Sequence, residues 1–330
     1  MARESPEEGR RSSSIKGIKM KLKSTRDGYG EGLLKLGEEN PDVVVLTADL
    51  GESTRSHWFK EKFPERFFQI GVAEADMIGT AAGLALSGKI AFVSDFGVFV
   101  TGRVWDQLRI SVAYSNANVK IGSTHCGITV GEDGASHQAI EDIALMRVLP
   151  GFTVIVPADA AEATKATIAA SKIYGPVYLR LGRAPLPIVT EEAEDFIIGK
   201  AQVLKEGDDL SIIACGVMVK ESLEAAELLK KKGISARVIN LHTIKPIDRE
   251  VVINAAKETG AIITAEEHQV MGGMGSAVAE VVMEEYPVPM KRIGILDSFG
   301  QSGKPDALMK YYHLTADDIV LEAANILKRK

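Results

Sequence analysis

The chain has 330 residues, 45% hydrophobic and 25% charged, with a net charge of −6. That is ordinary globular composition, long enough for two domains that each bury a core. The acidic balance argues against nucleic acid or an anionic membrane as the main partner, and no apolar run approaches the roughly 20 residues that span a bilayer. The two cysteines, Cys126 and Cys215, lie far apart and neither belongs to a CxxC pair. This spacing argues against a disulfide framework or zinc ribbon and makes a reducing cytoplasm the natural setting.

Residues 1–19 are polar, charged and serine-rich, and read as a disordered tail. From residue 20 short apolar runs alternate with helical periods. "DVVVLTADLG" (42–51), "KIAFVSDFG" (89–97), "NVKIGSTH" (118–125), "FTVIVPAD" (152–159) and "PVYLRLGR" (176–183) each read as a buried strand ending in a polar turn. This is the rhythm of an open α/β domain with a mostly parallel sheet, spanning 20–188. Prolines and acids then break the rhythm between 184 and 209, with room for an edge strand, and 189–200 reads as a linker. A second α/β series fills 201–330: "LSIIACG" (210–216), "SARVINL" (235–241), "GAIITAEE" (260–267) and "RIGILD" (292–297). Between its first two strands, Val219, Leu223, Ala226 and Leu229 share a helix face, and Gly233 is a stop signal.

In open α/β sheets ligands gather at the carboxyl ends of the strands. Four polar turns of the first domain fall there: 49–53, 95–99, 125 onward and 180–183. The segment "FFQIGVAEADMIGTAAGLALSG" (67–88) opens a helix at Glu74. Met77, Ile78, Ala81, Ala82 and Ala85 make its apolar stripe, while Gly79 and Gly83 leave a bare face. Glu74 is either a first-turn acid favoured by the helix dipole or a carboxyl able to share a proton with a buried heterocycle. Phe96 and Phe99 are either core residues or a stacking pocket for a flat ring.

"THCGITVGEDGASHQAIED" (124–142) gathers two histidines and several acids. Its spacing fits no zinc or iron motif well, and Cys126, the one candidate nucleophile, has beside it His125, an adjacent histidine that is rarely the base to reach it. Two readings stay open. The groups suit recognition of a polyhydroxylated substrate, since carboxylates and imidazoles bond hydroxyls. Alternatively it is a solvated loop before the helix "AIEDIALMRVL", with Ser136 as N-cap.

At this point the residues resemble a family. "GEDGASHQ" is similar to the GEDGxTHQ motif of transketolases, "IGVAEADMIGTAAGLA" to their cofactor-glutamate motif, "FGVFV" to their aromatic pair, and "TADLGEST" to the start of the same pyrimidine-binding domain. The resemblance covers about 22–183 strongly and 200–330 more loosely, through "EEHQVMGGMGSAV". It implies a thiamine-diphosphate pyrimidine-binding domain followed by the family's C-terminal domain. The family's other cofactor domain carries diphosphate and a divalent metal on a GDG…N motif, and no such motif occurs here.

The resemblance therefore implies the C-terminal subunit of a split transketolase. A separate N-terminal subunit would supply the diphosphate site and Mg²⁺ or Ca²⁺, and this chain no metal ligand. Homodimers of this subunit would sit inside a heterotetramer. The family glutamate falls at Glu74; Phe96 and Phe99 would pack on the pyrimidine, with Asp49 and the Val72 backbone beside the cofactor. His137 matches the histidine at the reacting carbonyl, and Asp133 the reader of an acceptor hydroxyl. His125, Arg26, Ser53 and Arg180 match the group holding a sugar phosphate, with Arg183 the alternative arginine. The family tyrosine after the aromatic pair falls at Gly102, a departure in the pyrimidine pocket.

Three competing readings share the fold. A 1-deoxyxylulose-5-phosphate synthase is normally one long chain. A 2-oxoacid dehydrogenase beta-type subunit has this length but lacks the GEDGxxHQ loop. A non-catalytic binding or regulatory subunit is disfavoured by the intact Glu74, Asp133 and His137.

Overall fold

The structure is a computed structural model and describes residues 22–190 and 195–330, with only the backbone of 14–15 and 18–19. The remainder of the expected tail at 1–19 lies outside the described residues; Ser14–Ile15 pairs antiparallel with Ile18–Lys19. The first helix, α1 (Thr25–Glu39), starts on a reciprocal cap. Ser24 accepts from the Asp27 N–H, and the Asp27 carboxylate accepts from the Ser24 N–H. Strand β1 (Val43–Thr47) follows, then β2 (Phe67–Gln69) and α2 (Glu74–Leu86). Next come β3 (Ile90–Phe96), β4 (Val119–Thr124), α3 (Asp142–Val148), β5 (Thr153–Ile155), α4 (Ala160–Ser171) and β6 (Val177–Arg180).

The second domain runs β7 (Gln202–Lys205), β8 (Leu210–Ala214), α5 (Met218–Lys230), β9 (Ala236–Asn240) and β10 (Thr243–Lys245). It continues with α6 (Arg249–Thr259), β11 (Ile262–Gln269), α7 (Met274–Glu285) and β12 (Met290–Ile295), then α8 (Pro305–Tyr311) and α9 (Ala316–Leu327). The expected α5 stripe holds: Val219, Ala226 and Leu229 are buried, Leu223 is partly buried, and Gly233 takes φ 79° just past the end.

Among the described residues the first sheet has seven strands, ordered β10-β5-β6-β4-β3-β1-β2, and the second five, ordered β7-β9-β8-β11-β12. Within these two sheets all pairs are parallel except β10 on β5 and β7 on β9. The edge strand β7 lies in the segment where the sequence left room for one. Strand β10 is different. It belongs by sequence to the second domain but extends the first sheet, a pairing that no local pattern announces.

Burial alternates along β1. Val43 and Val45 join Tyr29, Leu33, Ala163 and Ala166 on one face; Val44 and Leu46 join Met77, Ile78 and Ala81 on the other. Helices therefore cover both faces, as a parallel sheet requires. Helices α1 and α4 approach so closely that a Cβ at Gly28 would lie 2.1 Å from the Ala160 carbonyl oxygen. The α2-side cluster continues into the second domain through Ile213, Ile239, Ile244 and Val278. Ser136 does not cap a helix, because α3 begins at Asp142, six residues later, and the Ser136 hydroxyl bonds His137 Nδ1 instead. Among the described residues no helix is long and apolar enough to cross a membrane.

Candidate functional site

Strand β1 is flanked by β2 on one side and β3 on the other, so the chain reverses its winding between β1 and β3. The crevice at the carboxyl ends of these strands is the switch point where such sheets bind ligands. The turns after β1, β3, β4 and β6 all open at this edge, and α1 brings Arg26 to it.

One group is cationic. Arg26 Nη1 donates to the Ser53 carbonyl at 2.9 Å and lies 3.5 Å from His125 Nε2. His125 is 2% exposed, holds a left-handed φ of 57°, and has Nδ1 3.0 Å from the Thr124 hydroxyl. A non-glycine residue in that conformation marks a backbone held by its surroundings. Burial pulls the His125 pKa down to about 3, with Arg26, Arg183, His137 and Arg55 adding like-charge repulsion. The imidazole is thus neutral at pH 7 and bonds without carrying charge. Burial, then Arg55, also lowers Arg26 to about 10. Arg183 reaches the loop, donating to the Val130 carbonyl at 2.6 Å, with Asp133 Oδ2 at 3.7 Å.

The second group is aromatic and acidic. Phe96 and Phe99 lie 5.9 Å apart at 19°, stacked. His137 stands edge-on to both, at 6.1 and 5.5 Å. The rings do not form an open slot. His125 stacks on Phe96 at 3.7 Å, and the Arg103 guanidinium lies 4.3 Å from the Phe99 centroid. Glu74, 6% exposed at the start of α2, receives Arg103 Nη1 at 2.6 Å. Asp95, at the end of β3, is fully buried. Its Oδ1 accepts from the Phe96 N–H at 2.7 Å, while Oδ2 has no partner. Burial, then the Glu74 carboxylate, raises Asp95 to about 7.

Two expected residues sit further out. Asp49 is exposed at φ 66° and accepts from Gln69 Nε2 at 3.2 Å; with Ser53 it lines a cleft of about 340 Å³. Val72 is 75% exposed, two residues before Glu74.

Arg180 is a correction. Its side chain is 5% exposed, so it does not stand free to hold a substrate phosphate. Nε bonds Asp142 Oδ2 at 2.8 Å, and Nη2 donates to the carbonyls of Ala139 (3.2 Å) and Glu267 (2.9 Å). The side chain points inward because residues alternate along a strand, and Arg183, beyond the strand end, turns outward.

The polar stretch is a solvated loop only in part, exposed at Glu132, Asp133, Ala135 and Ser136. Its 124–131 portion is buried, and the second domain holds it. Glu267 Oε1 accepts from the Thr129 N–H, His268 Nε2 from the Ile143 N–H at 3.1 Å, and the Glu132 carbonyl from the Ser302 hydroxyl at 2.6 Å. Arg55, Arg103 and Asp95 were missed as site residues. Asp95 had a signal, a lone acid inside the apolar run "IAFVSDF"; the arginines had none. Among the described residues no three His, Cys, Asp or Glu side chains are arranged to hold a metal ion.

Residues 21–188 match the family described as "Transketolase, pyrimidine binding domain", and 199–319 match "Transketolase, C-terminal domain". The chain belongs to the transketolase family. It is 48% identical over 311 residues to the transketolase C-terminal section assigned in Methanocaldococcus jannaschii, covering 93% of this chain and 98% of that protein. The 6-deoxy-6-sulfo-D-fructose transketolase subunit of Clostridium sp. (strain MSTE9) is 44% identical over 313 residues, 95% of this chain and 97% of that one. Human transketolase is 37% identical over 310 residues, 93% of this chain but 49% of the human protein. A split-gene transketolase solved as an inactive beta4 tetramer superimposes with a TM-score of 0.87 at 50% identity, covering 92% of this chain and 98% of that one.

Proposed function

We propose that this chain is the C-terminal subunit of a two-subunit, thiamine-diphosphate-dependent transketolase of the cytoplasm, moving a two-carbon ketol unit from a ketose phosphate to an aldose phosphate. The observation that carries the reading is the meeting of two groups at one sheet edge: Glu74 with Phe96 and Phe99, and the cations Arg26 and Arg183 around neutral His125. The residues fit a flat heterocycle. A carboxylate at a helix start and an aromatic pair converge at the switch-point crevice.

Thiamine diphosphate, when bound, supplies the electron-accepting centre for carbon–carbon bond cleavage. Glu74 would share a proton with the ring nitrogen, Phe96 and Phe99 would pack the ring, and Asp49 and the Val72 backbone would stand at its outer side. His137 bonds the substrate carbonyl end, and Asp133 reads an acceptor hydroxyl. Arg26 and Arg183 supply charge to a terminal anion, with His125 and Ser53 completing its hydrogen bonds. Arg183 takes the role first assigned to Arg180, because Arg180 is spent on Asp142. The partner N-terminal subunit brings the diphosphate site and Mg²⁺ or Ca²⁺, and a homodimer of this chain sits within a heterotetramer. The similar split-gene chain described as an inactive beta4 tetramer supports the need for a partner.

A second reading changes only the substrate. A sulfonate presents the same oxygen face to arginine, and one relative is named for a sulfo-sugar. The test mixes both subunits with thiamine diphosphate and Mg²⁺ and assays ketol transfer from xylulose 5-phosphate to ribose 5-phosphate, with 6-deoxy-6-sulfofructose as the competing donor. Activity of this chain alone sinks the two-subunit reading. Productive use of pyruvate with glyceraldehyde 3-phosphate selects the synthase reading instead.

A further inference from the structure

We propose that Arg103 occupies the seat of the cofactor's aminopyrimidine ring in the free chain, so that cofactor binding must expel it. This rests on the cofactor reading above and adds a competitor internal to the chain. Two contacts define the seat. Nη1 of Arg103 lies 2.6 Å from Glu74 Oε1, and the guanidinium carbon lies 4.3 Å from the Phe99 centroid. A guanidinium is flat, delocalised and rich in N–H donors, so it can stack on an aromatic face while donating to a carboxylate. An aminopyrimidine would make the same two kinds of contact.

The surroundings allow the arginine to leave. Its side chain is 51% exposed while that of Glu74 is 7% exposed, so the guanidinium reaches in from solvent on a long stem. It lies in the turn between Gly97–Val100 and the short helix Trp105–Gln107, not within a long helix. Its charge has a use in the free chain. Glu74 is nearly buried beside Asp95, and Arg103 is the cation that pairs with it. A group that stabilises the free state and is lost on binding lowers apparent affinity by that amount. Arg103 thus weakens cofactor binding while keeping the buried Glu74 carboxylate from standing without a cation in the empty site.

The test titrates thiamine diphosphate into the assembly of this chain with its N-terminal partner and Mg²⁺, reading binding calorimetrically. Arg103→Met is expected to bind about tenfold more tightly than wild type, since it loses both the ion pair and the stack. Arg103→Lys keeps a charge without the flat fork and should fall between them; it carries the test if the Met variant does not fold by circular dichroism. Unchanged or weaker binding by these variants overturns the proposal and leaves the cofactor reading standing. No binding by the wild-type assembly overturns that reading, and this proposal with it.

Discussion

Glu74 and Asp95 are two acids at one crevice with different fates. Glu74 meets a guanidinium at the surface side, whereas Asp95 is sealed in with one oxygen unpartnered. Glu74→Gln should keep the fold and nearly abolish cofactor C2 proton exchange in the assembled enzyme, measured by hydrogen–deuterium exchange; retained exchange removes Glu74 from the chemistry. Asp95 makes a prediction about pH. Its folded value near 7 exceeds the ordinary 3.8, so between those values the folded chain holds a proton that the unfolded chain has lost. The stability this contributes is full below about 4 and is lost as pH rises through about 7. Asp95→Asn cannot ionise, so its melting temperature should climb relative to wild type from about pH 4 to pH 7 and hold a steady difference above about pH 8. A constant difference between pH 4 and pH 7 would count against a protonated Asp95. The residue types of the site were legible in the motifs, because glutamate, histidine and aromatic pairs carry recognisable spacing. Arg103 was not, because its relation to Glu74 crosses 29 positions and arises only when β3 brings its following turn beside α2.

At the level of elements, the loop between β4 and α3 is a bridge between domains. Glu267, His268 and Ser302 each hold it, and Arg180 with Asp142 locks its far end. The two arginines after β6 should therefore separate cleanly. Arg180→Met leaves Asp142 buried without its cation, which costs about 3–5 kcal/mol of stability in urea unfolding. Arg183→Met removes a partly exposed pair at 3.7 Å and a hydrogen bond to the Val130 carbonyl, a loss of about 1–2 kcal/mol, while raising KM for phosphorylated sugars. Equal destabilisation by both changes would contradict the assignment of inward and outward roles. The strands themselves were readable from their apolar runs. The inward direction of Arg180 was not, since "YLRLGR" places arginines three apart across a glycine and the strand end falls between them.

At the level of the whole molecule, the two domains share a core. Ile213, Ile239 and Val278 pack in the same cluster as Met77, Ile121 and Val154, and β10 completes the edge of the first sheet. A chain ending at residue 190 should thus expose apolar surface and an open strand edge, and elute as aggregates in size-exclusion chromatography. A soluble, cooperatively melting fragment would show the domains to be independent. The exposed Gly79 and Gly83 on α2, with nothing within 4 Å of a Cβ at either, leave room for a close approach in the assembly proposed above. By itself the sequence determined two α/β series, the helix stripe on α2, and motifs specific enough to name the family, because periodicity and short motifs are local properties. Only the tertiary structure decided that Arg180 is buried and Arg183 faces the site, that the polar loop is gripped by the second domain, and that Arg103 lies on Phe99 against Glu74. Those facts depend on where strands end and on contacts between distant segments, which local pattern does not encode.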